Sequence, residues 1–165
     1  MKGAEISKEE AEEFLIGEAE LLDDWKLKEW TTLYSRRAVY EVTSPASKTP
    51  LSDSSDSSLF LIADKIDRIE GRASRLLKPT AHAEFPRSKT RHLVSNFRVR
   101  AAAEGETGVR ANFAVFRTKD ETTTIYMGEY HYRLTREDGA IKILQKRCVL
   151  DVNSLRDQGR LTIIL

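Results

Sequence analysis

Hydrophobic residues recur at helical spacing near the start of the chain. Ser7 is followed three positions later by Glu10, which is the spacing of a capping box and predicts a helix start. A mostly apolar stripe follows in steps of three and four: Ala11, Phe14, Leu15, Glu18, Leu21, Leu22 and Trp25. Asp23-Asp24 is predicted to end this helix. A second, short helix is predicted to carry Trp30, Leu33 and Tyr34.

The next part of the chain predicts a strand, a loop and a long helix. Residues 38–42 form a short apolar strand pattern, and residues 44–58 are rich in serine, proline and aspartate, a composition typical of a loop. From Leu59 to about Leu77 the apolar residues again step by three and four, with charged residues opposite them. These features predict one long amphipathic helix.

From Thr90 the period of the pattern changes from helical to two. Alternating segments are predicted as strands over residues 90–100, 109–118, 122–135 and 140–152. Gly105 and Gly108, Lys119 to Glu121, and Asp138-Gly139 supply the turns between them. The last residues, 161–165, form a small apolar segment that we expect to be covered by the sheet or by another subunit.

This order of elements predicts an α+β fold in a single domain over residues 1–165, with a serine-rich loop at 44–58 and a tail at 153–165. We expect N-terminal helices, then a strongly curved and mostly antiparallel sheet wrapped around the long helix. Such a sheet would enclose a cone-shaped cavity.

Composition and charge narrow the class of function. The 27 basic and 26 acidic residues nearly cancel, so nothing indicates a nucleic acid or an anionic membrane as a partner. No apolar run is long enough to span a membrane. Cys148 is the only cysteine, predicted to be a buried inert thiol, which suits a reducing cytoplasm and excludes a Rieske cluster in this chain.

Three stretches resemble the small (beta) subunit of Rieske non-haem iron aromatic-ring-hydroxylating dioxygenases, whose fold is the nuclear-transport-factor-2-like cone. They are residues 25–42, residues 64–76 and, most specifically, residues 86–99, Pro-Arg-Ser-Lys-Thr-Arg-His-Leu-Val-Ser-Asn-Phe-Arg-Val. The ending from Lys146 to Asp151, followed by a polar turn and an apolar terminus, is also similar. The resemblance spans nearly the whole chain in the same order.

The resemblance implies a structural role without cofactors in this chain. The implied assembly is α3β3, with a trimer of small subunits, and the large (alpha) subunit holds the Rieske [2Fe–2S] cluster and a mononuclear Fe(II). The implied reaction adds both atoms of dioxygen to an aromatic ring and gives a cis-dihydrodiol. Electrons would come from NAD(P)H through a reductase, with or without a ferredoxin.

The strand from Thr90 carries the candidates for a subunit interface. Simple alternation places His92, Val94, Asn96, Arg98 and Arg100 on one face, and Leu93, Ser95, Phe97 and Val99 on a more apolar face that should contact the core. Arginine is favoured in interfaces because its planar group pairs with carboxylates and stacks on aromatic rings. Mainly on the family resemblance, we expect an interface at Arg91, His92, Asn96, Arg98 and Arg100; a solvated sheet face is the alternative.

An enzyme acting alone is a competing hypothesis. Glu129 and His131 share one face of a strand and could act as general acid and base if that face lined the cone, as in a small isomerase or dehydratase. The pattern does not decide which face is inward. A stand-alone ligand-binding module is a third possibility. His82, His92 and His131 lie on separate elements, and their spacing does not indicate a metal site.

Overall fold

The computed structural model describes residues 5–44, 60–152 and 161–165 of the chain. Its helices are α1 (Lys8–Asp23), α2 (Leu27–Thr31) and α3 (Ile66–Leu76), with a 3₁₀ turn at His82–Glu84. Its strands are β1 (Tyr34–Thr43), β2 (Phe60–Lys65), β3 (Lys89–Ala101), β4 (Glu106–Lys119), β5 (Thr122–Glu137) and β6 (Ala140–Leu150). Most of the predicted loop 44–58 and tail 153–165 lies outside the described residues.

The start and the end of α1 follow from its local sequence. The Ser7 hydroxyl accepts a hydrogen bond from the Glu10 amide at 3.1 Å, and the Glu10 carboxylate accepts one from the Ser7 amide at 2.9 Å. The predicted capping box is therefore confirmed. The helix ends at Asp23 with Asp24 as its C-cap, as expected. The second helix is shorter than predicted, because Tyr34 already begins β1.

The predicted helix over residues 59–77 is wrong in its first part. Residues 60–65 form β2, which pairs antiparallel with β1 from Val39 opposite Lys65 to Thr43 opposite Phe60. Pairing with a neighbouring strand satisfies the backbone of this segment, and such tertiary context overrides a short helical pattern. The helix begins at Ile66, and its buried face carries Ile66, Ile69 and Ala73 as the spacing predicted.

The six strands form one sheet in the order β2-β1-β6-β5-β4-β3. All neighbours are antiparallel except β1 and β6, which are parallel. The predicted meander from β3 to β6 is confirmed. Two of its turns use left-handed backbone at both central residues, Asp120-Glu121 and Asp138-Gly139, which is the geometry that two-residue hairpins prefer.

The core lies between the inner face of the sheet and the helices. Ala11, Leu15 and Leu22 of α1 pack with Trp30, Tyr40 and Tyr130 in one cluster of buried residues. Ile163, Ile164 and Leu165 join this cluster, so the apolar segment 161–165 is covered within the chain. The expected α+β fold with a curved, mostly antiparallel sheet is confirmed. No helix in the described ranges combines the length and the apolar character needed to cross a membrane.

Candidate functional site

A buried ion pair occupies the space between α1 and the sheet. The Lys146 ammonium lies 2.8 Å from the Glu18 carboxylate, and the two side chains are only 1% and 2% exposed. The Trp30 indole N–H donates to Oε1 of Glu18 at 3.0 Å, and the Tyr132 hydroxyl donates to its Oε2 at 2.5 Å. Glu18 therefore has a donor on each oxygen, the arrangement a buried carboxylate requires.

Aromatic rings complete the surroundings of Lys146. Its Nζ lies 4.8 Å from the centre of the Tyr130 ring, 5.6 Å from that of Tyr132 and 6.0 Å from that of Tyr40. Such contacts stabilise a cation that water does not reach. Burial raises the pKa of Tyr132 well above its usual range, and the negative charge of Glu18 adds to this effect. Tyr132 therefore stays neutral and keeps donating to Glu18.

The place predicted for the cone-shaped cavity, between α1 and the inner face of the sheet, is filled by side chains of the described residues. The space lined by Leu15, Glu18, Val94, Tyr130 and Lys146 leaves no room for a water molecule. The ion pair and the tyrosines fill the place where the curvature of the sheet would otherwise leave a pocket. A substrate has no space to enter there.

The candidate pair Glu129 and His131 lies on the other face of the sheet. Tyr126, Tyr130 and Tyr132 of β5 point to the core, so the alternate residues point outward. The two side chains do meet, with His131 Nε2 2.7 Å from Glu129 Oε1, and Arg110 lies 3.6 Å from Glu129.

The electrostatics of this outward pair follow from its surroundings. Partial burial lowers the pKa of His131; the Arg110 charge adds to this effect, and Glu129 opposes it. The ring next to Glu129 is therefore neutral at pH 7. The pair lies on the outer face of the sheet, where His131 lines an open groove, rather than in a closed cone, so the hypothesis of an enzyme acting alone is not supported.

A bulge in β3 overturns the predicted division of its faces. The register with β4 shifts between Ser95 and Arg98, and Asn96 has a φ of +57°. One extra residue reverses the alternation beyond it. Val94 and, after the bulge, Phe97 and Val99 pack against the core, whereas Leu93, predicted inward, is 53% exposed. Sequence alternation alone carries no signal for such an insertion.

The same bulge decides where the five interface candidates lie. Arg91, Arg98 and Arg100 are exposed, and none has an ion-pair partner among the residues the structure describes. Asn96 is exposed and makes the bulge. The side chain of His92 is 2% exposed and points inward.

The His92 ring links α1 to the segment 161–165. Its Nδ1 lies 2.5 Å from Asp23 Oδ1, and its Nε2 lies 2.9 Å from the carbonyl oxygen of Ile164. The backbone amide of His92 also donates to Asp23. Both ring nitrogens of His92 therefore lie within hydrogen-bond distance of an oxygen atom. Burial opposes ionisation of Asp23, but the hydrogen bonds and charge of His92 outweigh it and lower the pKa of this carboxyl.

Metal-ligating side chains do not converge in the part of the chain that the structure describes. Residues 5–44, 60–152 and 161–165 contain no group of three or more His, Cys, Asp or Glu side chains able to hold a metal ion. His92 and His131 lie on different strands and opposite faces. Cys148 is buried, and burial raises the pKa of its thiol to about 12, so the thiolate that binds metals is disfavoured.

Comparisons with known proteins agree with this arrangement. The family model described as "Ring hydroxylating beta subunit" matches residues 17–157. The small oxygenase component of the p-cumate 2,3-dioxygenase system of Pseudomonas putida is 47% identical over 160 residues, which are 97% of this chain and 88% of the relative.

Two solved structures define the fold by likeness of shape. A naphthalene 1,2-dioxygenase with indole bound in its active site matches with a TM-score of 0.82 at 17% identity, over 96% of this chain and 85% of that chain. An NTF2-like protein with a cystatin-like fold from Novosphingobium aromaticivorans matches with a TM-score of 0.62 at 14% identity, over 93% and 89%.

These findings confirm the predicted fold class and the predicted family. The family-model match includes all six strands, α2, α3 and the second half of α1, and therefore β3 with its exposed arginines. The chain belongs to the family of ring-hydroxylating dioxygenase beta subunits.

Proposed function

We propose that this chain is the structural, non-catalytic small subunit of an α3β3 aromatic-ring-hydroxylating dioxygenase. The observation that carries the proposal is the 47% identity, over nearly the full length, to a small oxygenase component. In this assembly the large subunit holds a Rieske [2Fe–2S] cluster and a mononuclear Fe(II). It adds both atoms of dioxygen to an aromatic ring with electrons from NAD(P)H, delivered by a reductase, with or without a ferredoxin.

The chemistry of this chain's own side chains supports a structural role. Glu18 and Lys146, the ionised pair at the centre of the fold, are sealed from solvent and fully engaged with each other and with aromatic donors. The single thiol, Cys148, falls short of the two cysteines that a Rieske cluster needs. One cysteine and no disulfide also support a cytoplasmic location, which is part of the proposal.

We propose an aromatic carboxylate, with p-cumate as the first compound to test, as the substrate of the whole enzyme. The support is the named substrate of the relative at 47% identity. The pocket that selects the substrate would lie in the large subunit, because the space between α1 and the sheet is filled by the side chains that the structure describes.

The test is to isolate this chain, affinity-tagged, from cells that also make its large subunit. We expect a larger polypeptide with a Rieske Cys/His pattern to co-purify and to carry all the iron. The complex should consume oxygen with p-cumate when supplied with reductase. The small subunit alone should contain no iron and show no turnover. Iron or turnover in that isolated chain, or its recovery as a partner-free monomer, would contradict the proposal.

The exposed arginines of β3 are proposed as a subunit contact. Arg91, Arg98 and Arg100 lie on the outer face and have no partner in the described part of the chain. Arginine in that state is available to pair with carboxylates of another subunit. His92 supports the strand from inside rather than offering its own ring, and Asn96 supplies the bulge.

A further inference from the structure

The outer face of the sheet combines apolar side chains with arginines that have no partner within the described residues. Leu93 of β3 and Met127 of β5 are 53% and 55% exposed, and the register aligns both with Ala114 of β4 in one row across three strands. Exposed apolar patches rimmed by charge are typical of protein contact surfaces. We call this region, formed by Arg91, Leu93, Arg98, Arg100, Ile125 and Met127, the arginine face.

The bulge at Asn96 is what assembles this face. Arg91 and Arg98 are seven residues apart, an odd number that would place them on opposite faces of a regular strand. The extra residue at Asn96 restores them to the same side, and Arg100 follows Arg98 by two. The arginines therefore extend along about 30 Å of one edge strand, at roughly 3.3 Å per residue.

The opposite side of the molecule carries a surface of complementary character. Glu9, Glu13, Ile16, Glu20 and Asp24 are spaced by three or four residues, so they form one stripe along α1 and its C-cap, and all five are exposed. None of the four carboxylates has an ion-pair partner within the described ranges. This acidic stripe is about 22 Å long at 1.5 Å per residue, and it has an apolar side chain at its centre.

The two surfaces cannot meet within one copy of the chain. α1 packs against the inner side of β3, where Asp23 binds His92 and Leu22 lines the same space, and its stripe points away from the sheet. The arginine face lies on the outer side of that strand. A contact between them must therefore join two copies and must be heterologous, which is the kind of contact that closes a ring of three.

We propose that the arginine face of one copy binds the acidic stripe of a second copy, with Leu93 and Met127 against Ile16. A second copy fits the arginine face because the charges are complementary. Arginines and carboxylates that have no ion-pair partner within the described residues surround an apolar centre on each surface, and the net charge of the chain is only +1. This inference rests on the proposed function, because it names the surfaces that form the trimer of small subunits.

The experiment is a charge reversal on each surface and on both together. The variants are Arg91→Glu with Arg98→Glu, Glu13→Lys with Glu20→Lys, and all four changes in one chain. Sedimentation velocity is measured on the small subunit alone and on its complex with the large subunit. We expect each paired reversal to raise the dissociation constant between small subunits at least tenfold. The fourfold variant should return to within threefold of the original, because the charges are again complementary.

Two single variants off both surfaces serve as controls, Arg75→Glu on α3 and Glu121→Lys in the turn before β5. They should leave assembly unchanged, and thermal unfolding should show that every variant folds. If the original chain assembles and neither paired reversal weakens it, the inference is overturned while the proposed function stands. Failure of the fourfold variant to recover would also overturn it. The inference would also be overturned if the arginine reversal released only the large subunit and left the contact between small subunits intact, because the arginine face would then bind the large subunit.

Discussion

Asp23 and His92 join three separate parts of the chain through a few atoms. Asp23 ends α1, His92 lies in β3, and the Ile164 carbonyl belongs to the segment that covers the core. Hydrogen bonds to a charged group contribute about 1.5–3 kcal/mol each, more than neutral ones. This small network therefore has a large influence on how the segment 161–165 is held.

The pH dependence of stability should report on Asp23. Its pKa is below the ordinary value of 3.8 in the folded protein, so its contribution is complete above that value and is lost as the pH falls through the folded pKa. We expect Asp23→Asn to lower the free energy of unfolding by about 2 kcal/mol at pH 7. Below a pH of about 5, the variant should lose less stability with falling pH than the original protein does. Urea unfolding between pH 3 and 7 measures both effects.

An exposed aspartate away from both proposed contact surfaces provides the control for this prediction. Asp138, in the turn between β5 and β6, is exposed and has no side-chain partner in the described ranges, so Asp138→Asn should change stability by less than about 0.5 kcal/mol at every pH. Equal pH profiles for Asp23→Asn and the original protein would mean that the carboxylate does not favour the folded state.

The pairing of β5 with β6 depends on one residue without a side chain, Gly128. A Cβ placed on Gly128 would lie 1.9 Å from the backbone oxygen of Val149, which no rotamer change relieves. The backbones of the two strands approach each other here beside the exposed Met127 and the Glu129 pair. Glycine is needed at position 128 because it has no Cβ atom, and not because of its backbone dihedral angles.

Gly128→Ala should be strongly destabilising, by about 3 kcal/mol or more, because backbone atoms must separate. Gly71→Ala provides a matched comparison. Gly71 lies in α3, and a Cβ placed on it would meet nothing within 4 Å, so alanine there should stabilise the protein by about 0.5–1 kcal/mol. Thermal unfolding of both variants tests the pair. A Gly128→Ala protein as stable as the original would show that the strands can move apart freely.

The buried Glu18–Lys146 pair fills the centre of the molecule, where the curved sheet would otherwise leave a cavity. It links α1 to β6 across the centre of the fold and is held by Trp30 and Tyr132. Removing one partner of a buried ion pair costs about 3–5 kcal/mol, because the other charge remains buried. The pair thus fixes the distance between helix and sheet.

Lys146→Met should lower the free energy of unfolding by about 3–5 kcal/mol. Adding Glu18→Gln should recover much of this loss, because the amide is neutral and its oxygen still accepts a hydrogen bond from Trp30 or Tyr132. Urea unfolding of the two single variants and the double variant gives the coupling. Lys8→Met, in an exposed pair with Glu12, is the control and should cost less than about 0.5 kcal/mol. If the losses in free energy of unfolding from Lys146→Met and Glu18→Gln simply add in the double variant, the two side chains do not interact directly.

The features that the sequence predicted are those that neighbouring residues determine. The capping box at Ser7 and the hairpin turn at Asp138-Gly139 depend on a few adjacent positions, and both were predicted. The strand at 60–65 and the bulge at Asn96 depend on partner strands, and the pattern did not reveal them. Glu18 within an apolar stripe was a usable signal of a buried charge, but only the fold identifies Lys146 as its partner.

The parallel contact of β1 with β6 has a consequence for how the protein is made. β1 leaves the ribosome more than 90 residues before β6, and Tyr40 and Val42 on it are fully buried in the finished fold. Until β6 is synthesised, β1 has only β2 beside it, and its other edge stays open. Pairings between distant segments also fold slowly, on the order of milliseconds to seconds. Nascent chains therefore pass through a period of exposed strand edges, in which chaperone binding or aggregation competes with folding.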